Sequence, residues 1–227
     1  MLVSAIIVAA GSGLRMGGAI PKQFQLLEGL PILYYTLKRF EACNAVDEVV
    51  IVAAKEWLSF VSQEIVDRFN FTKVRKIVAG GLKRQDSVYC GIKALVDAPD
   101  ITVVHDAVRP FVTPEKITEA VTICKKHAGV ILAVPPKDTI KVEKAGFVEK
   151  TPARDILRSV QTPQVFKHHV LRQAHEKAIE CGIYLTDDSA LVERLGYPVK
   201  IIEGDDKNIK ITEPYDLKLA EVILNTD

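Results

Sequence analysis

The chain has 227 residues, 48% of them hydrophobic, enough to bury one sizeable core. Thirty basic residues against 29 acidic ones leave a net charge near zero, so no global basic excess points to nucleic acid. The longest apolar runs fall well short of the roughly 20 residues that cross a bilayer. The four cysteines (Cys43, Cys90, Cys124, Cys181) form no Cys-x-x-Cys pair, which argues against a zinc or redox motif and for reduced thiols in the cytoplasm.

The first apolar run, Leu2 to Val8, reads as a buried strand. It lacks the basic flank of a signal peptide and runs straight into Ala9-Ala10-Gly11-Ser12-Gly13-Leu14-Arg15-Met16-Gly17-Gly18, closing at Pro21-Lys22-Gln23. Bare glycines let an anion approach backbone N–H groups, so Ala9 to Gly13 with the cations Arg15 and Lys22 suits a polyphosphate. The stretch is no P-loop, because Ala19 follows Gly18 where a lysine is needed. It is no dinucleotide fingerprint either, because Met16 stands in place of the third glycine and Pro21 opposes a helix there. The plain alternative is a glycine-rich surface turn.

Helical spacing follows over Pro31 to Cys43, Glu56 to Phe69 and Gln85 to Val96, with apolar strands at Val49–Val52, Val74–Ala79 and Ile101–Val104. Gly80-Gly81 breaks the third of these four strands. Thr113-Pro114-Glu115 reads as an N-cap opening a helix to about His127, and Val130 to Val134 is the next strand. Five strand–helix alternations predict an α/β, Rossmann-like, mostly parallel sheet with helices on both faces. From about 136 to 157 the rhythm changes. Thr139–Val142 and Phe147–Lys150, joined by Lys144-Ala145-Gly146, predict an extended β-hairpin arm inserted in one domain spanning 1–227. A lone hairpin is marginal in water, which makes a second subunit its natural partner. A helix within Val165 to Cys181, through Val170, Leu171, Ala174 and Ala178, a helix over Asp187 to Leu195 capped from Thr186-Asp187, a strand at Val199–Ile202 and a last helix from Thr212-Glu213-Pro214 to Leu224 complete the chain.

Ligands of open α/β sheets bind beyond the carboxyl ends of the strands, where the first loop, Gly80-Gly81 and His105-Asp106 all fall. Asp106 is read as a metal-associated carboxylate, since Mg²⁺ takes one or two carboxylates plus substrate phosphates; the plain alternative is a turn former. Arg109 suits either Asp106 or a substrate phosphate. Gly80-Gly81 with Arg84 and Ser87 is either a platform for a base or a simple turn. Lys210 by itself reads as a surface lysine. His127, His168, His169 and His175 match no metal motif and read as solvated.

Taken together, Ala9 to Met16, Pro21-Lys22-Gln23, Gly80-Gly81 with Arg84 and Ser87, His105-Asp106-Ala107-Val108-Arg109-Pro110, Asp138-Thr139, Thr162-Pro163-Gln164, Thr186-Asp187 and Asn208-Ile209-Lys210 resemble the nucleoside-triphosphate-dependent cytidylyltransferases. The likeness is strongest to the branch serving the non-mevalonate isoprenoid pathway, which joins CTP to 2-C-methyl-D-erythritol 4-phosphate. The ribitol 5-phosphate branch is the alternative. The resemblance implies that Arg15 and Lys22 contact the triphosphate and stabilise the transition state, and that Gly80, Gly81 and Ser87 lie at cytosine. It implies further that Asp106, near Mg²⁺, lines the pocket with Ala107, Arg109, Thr162, Thr186 and Lys210. Thr139 and Arg154, on the arm, would reach a neighbouring subunit of a homodimer to bind the sugar-alcohol phosphate. Leu82 departs from the acidic or polar residue common after the two glycines.

Overall fold

A computed structural model describes residues 1–11 and 20–226. Ser12, Gly13 and Arg15, three of the expected phosphate contacts, lie outside the described residues.

Among the described residues seven strands form one sheet: β1 (Val3–Ala9), β4 (Glu48–Ala53), β5 (Val74–Ala79), β6 (Ile101–Asp106), β7 (Gly129–Val134), β10 (Ser159–Lys167) and β11 (Val199–Glu203). Their order across it is β11-β7-β10-β6-β1-β4-β5. Two short ribbons stand apart, β2 (Leu26–Leu27) with β3 (Leu30–Pro31), and β8 (Val142–Lys144) with β9 (Phe147–Lys150). The chain leaves β1 toward β4 and β5, then returns to place β6 on the other side of β1. That reversal is the topological switch point, where the carboxyl ends of β1 and β6 open a crevice.

Alternating residues of β1 face two different cores. Ala5, Ile7 and Ala9 pack with Leu33, Leu37 and Phe40 of α1 (Ile32–Glu41) and with Ile117, Ala120 and Val121 of α4 (Pro114–Cys124). The same layer takes Val61 and Ile65 from a π-helical turn (Val61–Asp67) that continues α2 (Leu58–Phe60). Ile6 faces the other way, onto Val88 and Ile92 of α3 (Arg84–Ala94), Val170 and Leu171 of α5 (His168–Glu180), and Leu191 and Val192 of α6 (Asp188–Arg194). A third cluster seats α7 (Pro214–Leu224) through Ala220 and Ile223 against Leu27, Ile32 and Val108. The mostly parallel sheet with helices on both faces is therefore as expected. Thr113 caps α4 as read, its hydroxyl accepting from Lys116 N–H at 3.3 Å. That helix ends at Cys124, a turn short of His127.

One strand escaped the sequence reading. Ser159 to Lys167 carries no alternation, and Pro163 argues against a central strand. Yet β10 inserts antiparallel between β6 and β7, and every residue from Gln161 to Phe166 is buried. The register shifts between Gln161 and Gln164, so the ladder steps over Thr162-Pro163, whose peptide bond is cis. The arm forms as a hairpin whose turn residues Ala145 and Gly146 both have positive φ, the geometry of a two-residue turn. Its first strand begins only at Val142, leaving Thr139 to Lys141 outside it.

Candidate active site

Strand register levels the site. Val8 pairs with Asp106, and Ala9 pairs with Ala53, which pairs with Ala79. Asp106, Ala10-Gly11 and Gly80-Gly81 therefore emerge side by side at one sheet edge. Beside them lies a cavity of about 340 Å³ lined by Ala9, Ala10, Gly11, Lys22, Gly81, Ser87, Asp106 and Lys210, all expected site residues. Gln23, Leu82, Lys83 and Arg84 line it as well.

Each wall has a local cause. The buried Gln23 amide donates to the carbonyls of Ala9 (2.6 Å) and Gly11 (3.0 Å), fixing the exit from β1 and placing its neighbour Lys22 at the cavity. Gly80 has to be glycine: a β-carbon there would overlap the Ala10 Cβ and stand 2.7 Å from Ser87 Oγ. Ser87 Oγ accepts from Gly81 N–H (3.2 Å) and donates to the Lys83 carbonyl (3.1 Å), so the hydroxyl holds the turn that faces the cavity.

Asp106 is the electrostatic centre. Arg84 Nε donates to its Oδ1 at 3.0 Å, and Lys210 Nζ sits 2.7 Å from its Oδ2. Burial alone would raise this carboxyl; the charges of Arg84 and then Lys210 outweigh it and hold the group well below the usual carboxylate range. Lys210 is thus no isolated surface lysine. Its segment is pinned by Ile211 N–H donating to the Val108 carbonyl (2.9 Å) and by Arg109 donating to the Asn208 carbonyl (2.7 Å).

Arg84 reaches further, donating from NH1 to Oδ2 of Asp188 at 2.7 Å, while His175 Nε2 donates to Oδ1 of Asp188 at 3.0 Å. Burial would raise the Asp188 carboxyl, but the Arg84 charge and the His175 hydrogen bond bring it down to about 2. A chain of hydrogen bonds and ion pairs, His175–Asp188–Arg84–Asp106–Lys210, therefore runs from the buried His175 out to the cavity. Sequence reasoning missed Asp188 and gave Arg84 only a backbone setting; the sole signal was a polar pattern in α6.

Two histidines correct the expectation of solvation. His175 is fully buried, and His168 is buried with Nδ1 2.9 Å from Thr102 Oγ1. His127 and His169 are exposed as expected. His105, buried behind Asp106, has Nε2 3.0 Å from the Arg109 carbonyl, which can only accept, so Nε2 carries the proton. Its Nδ1 then accepts from the Thr162 hydroxyl (3.1 Å), which itself accepts from Asp106 N–H (3.1 Å). Burial pushes His105 down to about 4, so it stays neutral.

Several expected residues are not part of the cavity lining: Gly80, Ala107, Arg109, Thr139, Arg154, Thr162 and Thr186. The Thr162 hydroxyl is spent on Asp106 and His105, which makes it a support of the site. Ala107 is buried, its N–H bonded to the Val8 carbonyl and its carbonyl to Thr36. Thr186 is exposed two residues before Asp188. Thr139 is exposed on the arm, and Arg154 donates to the Pro136 carbonyl from Nε (2.9 Å) and NH2 (2.7 Å) at the arm's root.

Among the described residues, no three His, Cys, Asp or Glu side chains gather as a metal cage. Asp106, a single ionised carboxylate at the cavity whose oxygens now meet Arg84 and Lys210, is a residue of the kind that Mg²⁺ takes alongside substrate phosphates and water.

A cleft on the switch point of a mostly parallel sheet, walled by glycine backbone and lysines, has the donors and cations that suit phosphate groups, an arrangement in keeping with a nucleotidyltransferase. Comparison narrows the class. Residues 3–226 match the family model for IspD, 2-C-methyl-D-erythritol 4-phosphate cytidylyltransferase, and the chain belongs to that family. It is 44% identical to the enzyme of that name from Geotalea uraniireducens over 100% of this chain and 98% of the relative. Its likeness to the one from Geobacter metallireducens is 45% over 99% and 98%. The crystal structure of 4-diphosphocytidyl-2C-methyl-D-erythritol synthase from Anaerococcus prevotii superposes with a TM-score of 0.88 at 32% identity, covering 99% of this chain and 96% of that one.

Proposed function

We propose that the protein joins CTP to 2-C-methyl-D-erythritol 4-phosphate, giving CDP-methylerythritol and pyrophosphate. The observation that carries this reading is the cavity at the β1–β6 switch point, in a chain that matches the family along its length.

The acceptor phosphate is mostly dianionic at neutral pH, its second pKa being near 6, so its oxygen needs no general base. That oxygen forms a bond to the α-phosphorus of CTP while the bond from the α-phosphorus to the bridging oxygen breaks. The electron pair leaves with pyrophosphate. What the chain must supply is in-line placement and charge neutralisation. Lys22 faces the cavity and, with Arg15 on the glycine loop, is assigned to the triphosphate. Gly81 and Ser87 frame the base. Asp106 would hold Mg²⁺, which supplies further neutralisation of phosphate charge. Lys210, which unlike Arg84 is not also tied to Asp188, is the cation that can leave Asp106 for a phosphate.

Thr139 and Arg154 of the arm, with Arg109 and Thr186, are assigned to the acceptor. The arm exposes Ile140, Phe147, Val148 and Ile156, apolar surface that a second copy would cover, so we assign a homodimer in which each arm completes its neighbour's site. No helix among the described residues is long and apolar enough to cross a membrane, and free thiols at all four cysteines suit the cytoplasm.

The test is pyrophosphate release from CTP and Mg²⁺ with methylerythritol 4-phosphate or ribitol 5-phosphate. Turnover with the first alone is expected, and turnover with ribitol 5-phosphate alone would overturn the acceptor assignment. Mixing Lys22→Ala with Arg154→Ala should restore activity if arms are shared between subunits. Failure of the mixture to recover any turnover would refute the shared site.

A further inference from the structure

The first turn of α3 makes a second set of contacts that the proposed chemistry does not use. Gln85 is 7% exposed and turns away from the cavity. Its Nε2 donates to the Ile183 carbonyl at 2.9 Å, and its Oε1 accepts from Leu185 N–H at 3.1 Å. Two residues earlier, the Lys83 ammonium lies 3.4 Å from the centroid of the Tyr184 ring. The segment from Ile183 to Asp187 belongs to no helix or strand, so its backbone groups need other partners. A glutamine amide can donate to one backbone group and accept from the next at once.

These contacts fix the residues just before Thr186. Those just after it are fixed too: Asp187 caps α6 by accepting from Ala190 N–H (3.1 Å) and is held by Gln164 (2.7 Å), while Asp188 is held by Arg84. Thr186 is thus an exposed residue strung between two anchors, and both Arg84 and Gln85 belong to the helical turn that walls the nucleotide cavity.

We propose that Gln85 is a positioning residue for the acceptor: it touches neither substrate, but holds the Thr186 segment in register with the nucleotide cavity. This rests on the reading that Thr186 meets the acceptor phosphate. Gln85→Met keeps the chain's bulk and removes both hydrogen bonds; Gln85→Ala removes the bulk as well.

For both variants the expected result is an acceptor KM raised about tenfold, the size of losing two ordinary hydrogen bonds, with kcat and the CTP KM within about twofold of wild type. The Leu185 amide should lose protection from hydrogen exchange in both. An acceptor KM that stays put while the amide is deprotected would overturn the role in binding. An amide that stays protected would overturn the tie itself. A matching rise in the KM for both substrates, or a loss confined to kcat, would show general damage and overturn it too. The exchange measurement needs no substrate, so a wild type inactive toward methylerythritol phosphate, which would sink the functional reading, is told apart from a failed tie.

Discussion

Replacing Arg84 by methionine removes one guanidinium that neutralises two carboxylates. Asp188 has a side chain 1% exposed and Asp106 one 9% exposed, so neither can turn to water for compensation. Breaking a buried pair by deleting one partner costs about 3–5 kcal/mol, because the remaining charge is left uncompensated. His175 remains beside Asp188 and Lys210 beside Asp106, which places Arg84→Met toward the lower end of that range. For a chain of this size the loss corresponds to a fall in Tm of roughly 6–12 °C. Urea denaturation followed by circular dichroism measures it directly. The deficit should shrink as pH falls toward 2, since a protonated carboxyl needs no counter-charge and Asp188 titrates at about 2 in the intact chain. Combining Arg84→Met with Asp188→Asn should cost less than the sum of the two, by about 0.5–3 kcal/mol. A deficit below about 1 kcal/mol at pH 7 would refute the reasoning, because that is the worth of an exposed ion pair.

Three further outcomes are expected. Lys22→Ala and Arg15→Ala should each lower kcat by about 10²–10³ in pyrophosphate release, the usual cost of losing one electrostatic contact to a transition state; near-normal turnover would remove them from the triphosphate. Acid should act in two stages. His105 resists protonation until about pH 4 in the fold but takes up a proton near 6.5 when unfolded. Between those values the unfolded chain binds one more proton, so stability falls as pH drops, by about 3 kcal/mol from this group. The lowered Asp188 and Asp106 add their losses below the unfolded carboxylate value of 3.8. His105→Gln, which can still donate to Arg109 and accept from Thr162, should flatten the slope between pH 6.5 and 4, and an unchanged slope would exclude His105 as its source. Gly80→Ala should cost about 1–3 kcal/mol of stability and raise the CTP KM, since the new methyl meets Ala10 and Ser87; a neutral variant would show that the cavity wall yields.

The sequence by itself determined the alternation of parallel strands and helices, the caps at Thr113 and Asp187, the hairpin turn at Ala145-Gly146, and the glycine stretches at the strand ends. These are local signals, because periodicity and capping act over a few residues and leave their mark in the order of the chain. The glycine loop with Lys22 and the carboxylate Asp106 at a strand end were legible in the same way, whereas Gly81, Ser87 and Lys210 gained their places only through the resemblance of the motifs taken together. Tertiary structure decided the rest. Strand β10 is buried on both faces and carries a proline at its register shift, so it shows neither alternation nor strand-like composition, and only the neighbours β6 and β7 make it a strand. His175 and His168 look like polar residues of an amphipathic helix until α5 is laid on the sheet. Arg84 meets Asp106 and Asp188 across 22 and 104 positions of sequence. No spacing rule encodes such a pairing: the partners are chosen by where the chain crosses itself, and the low-polarity interior then makes that choice costly to undo.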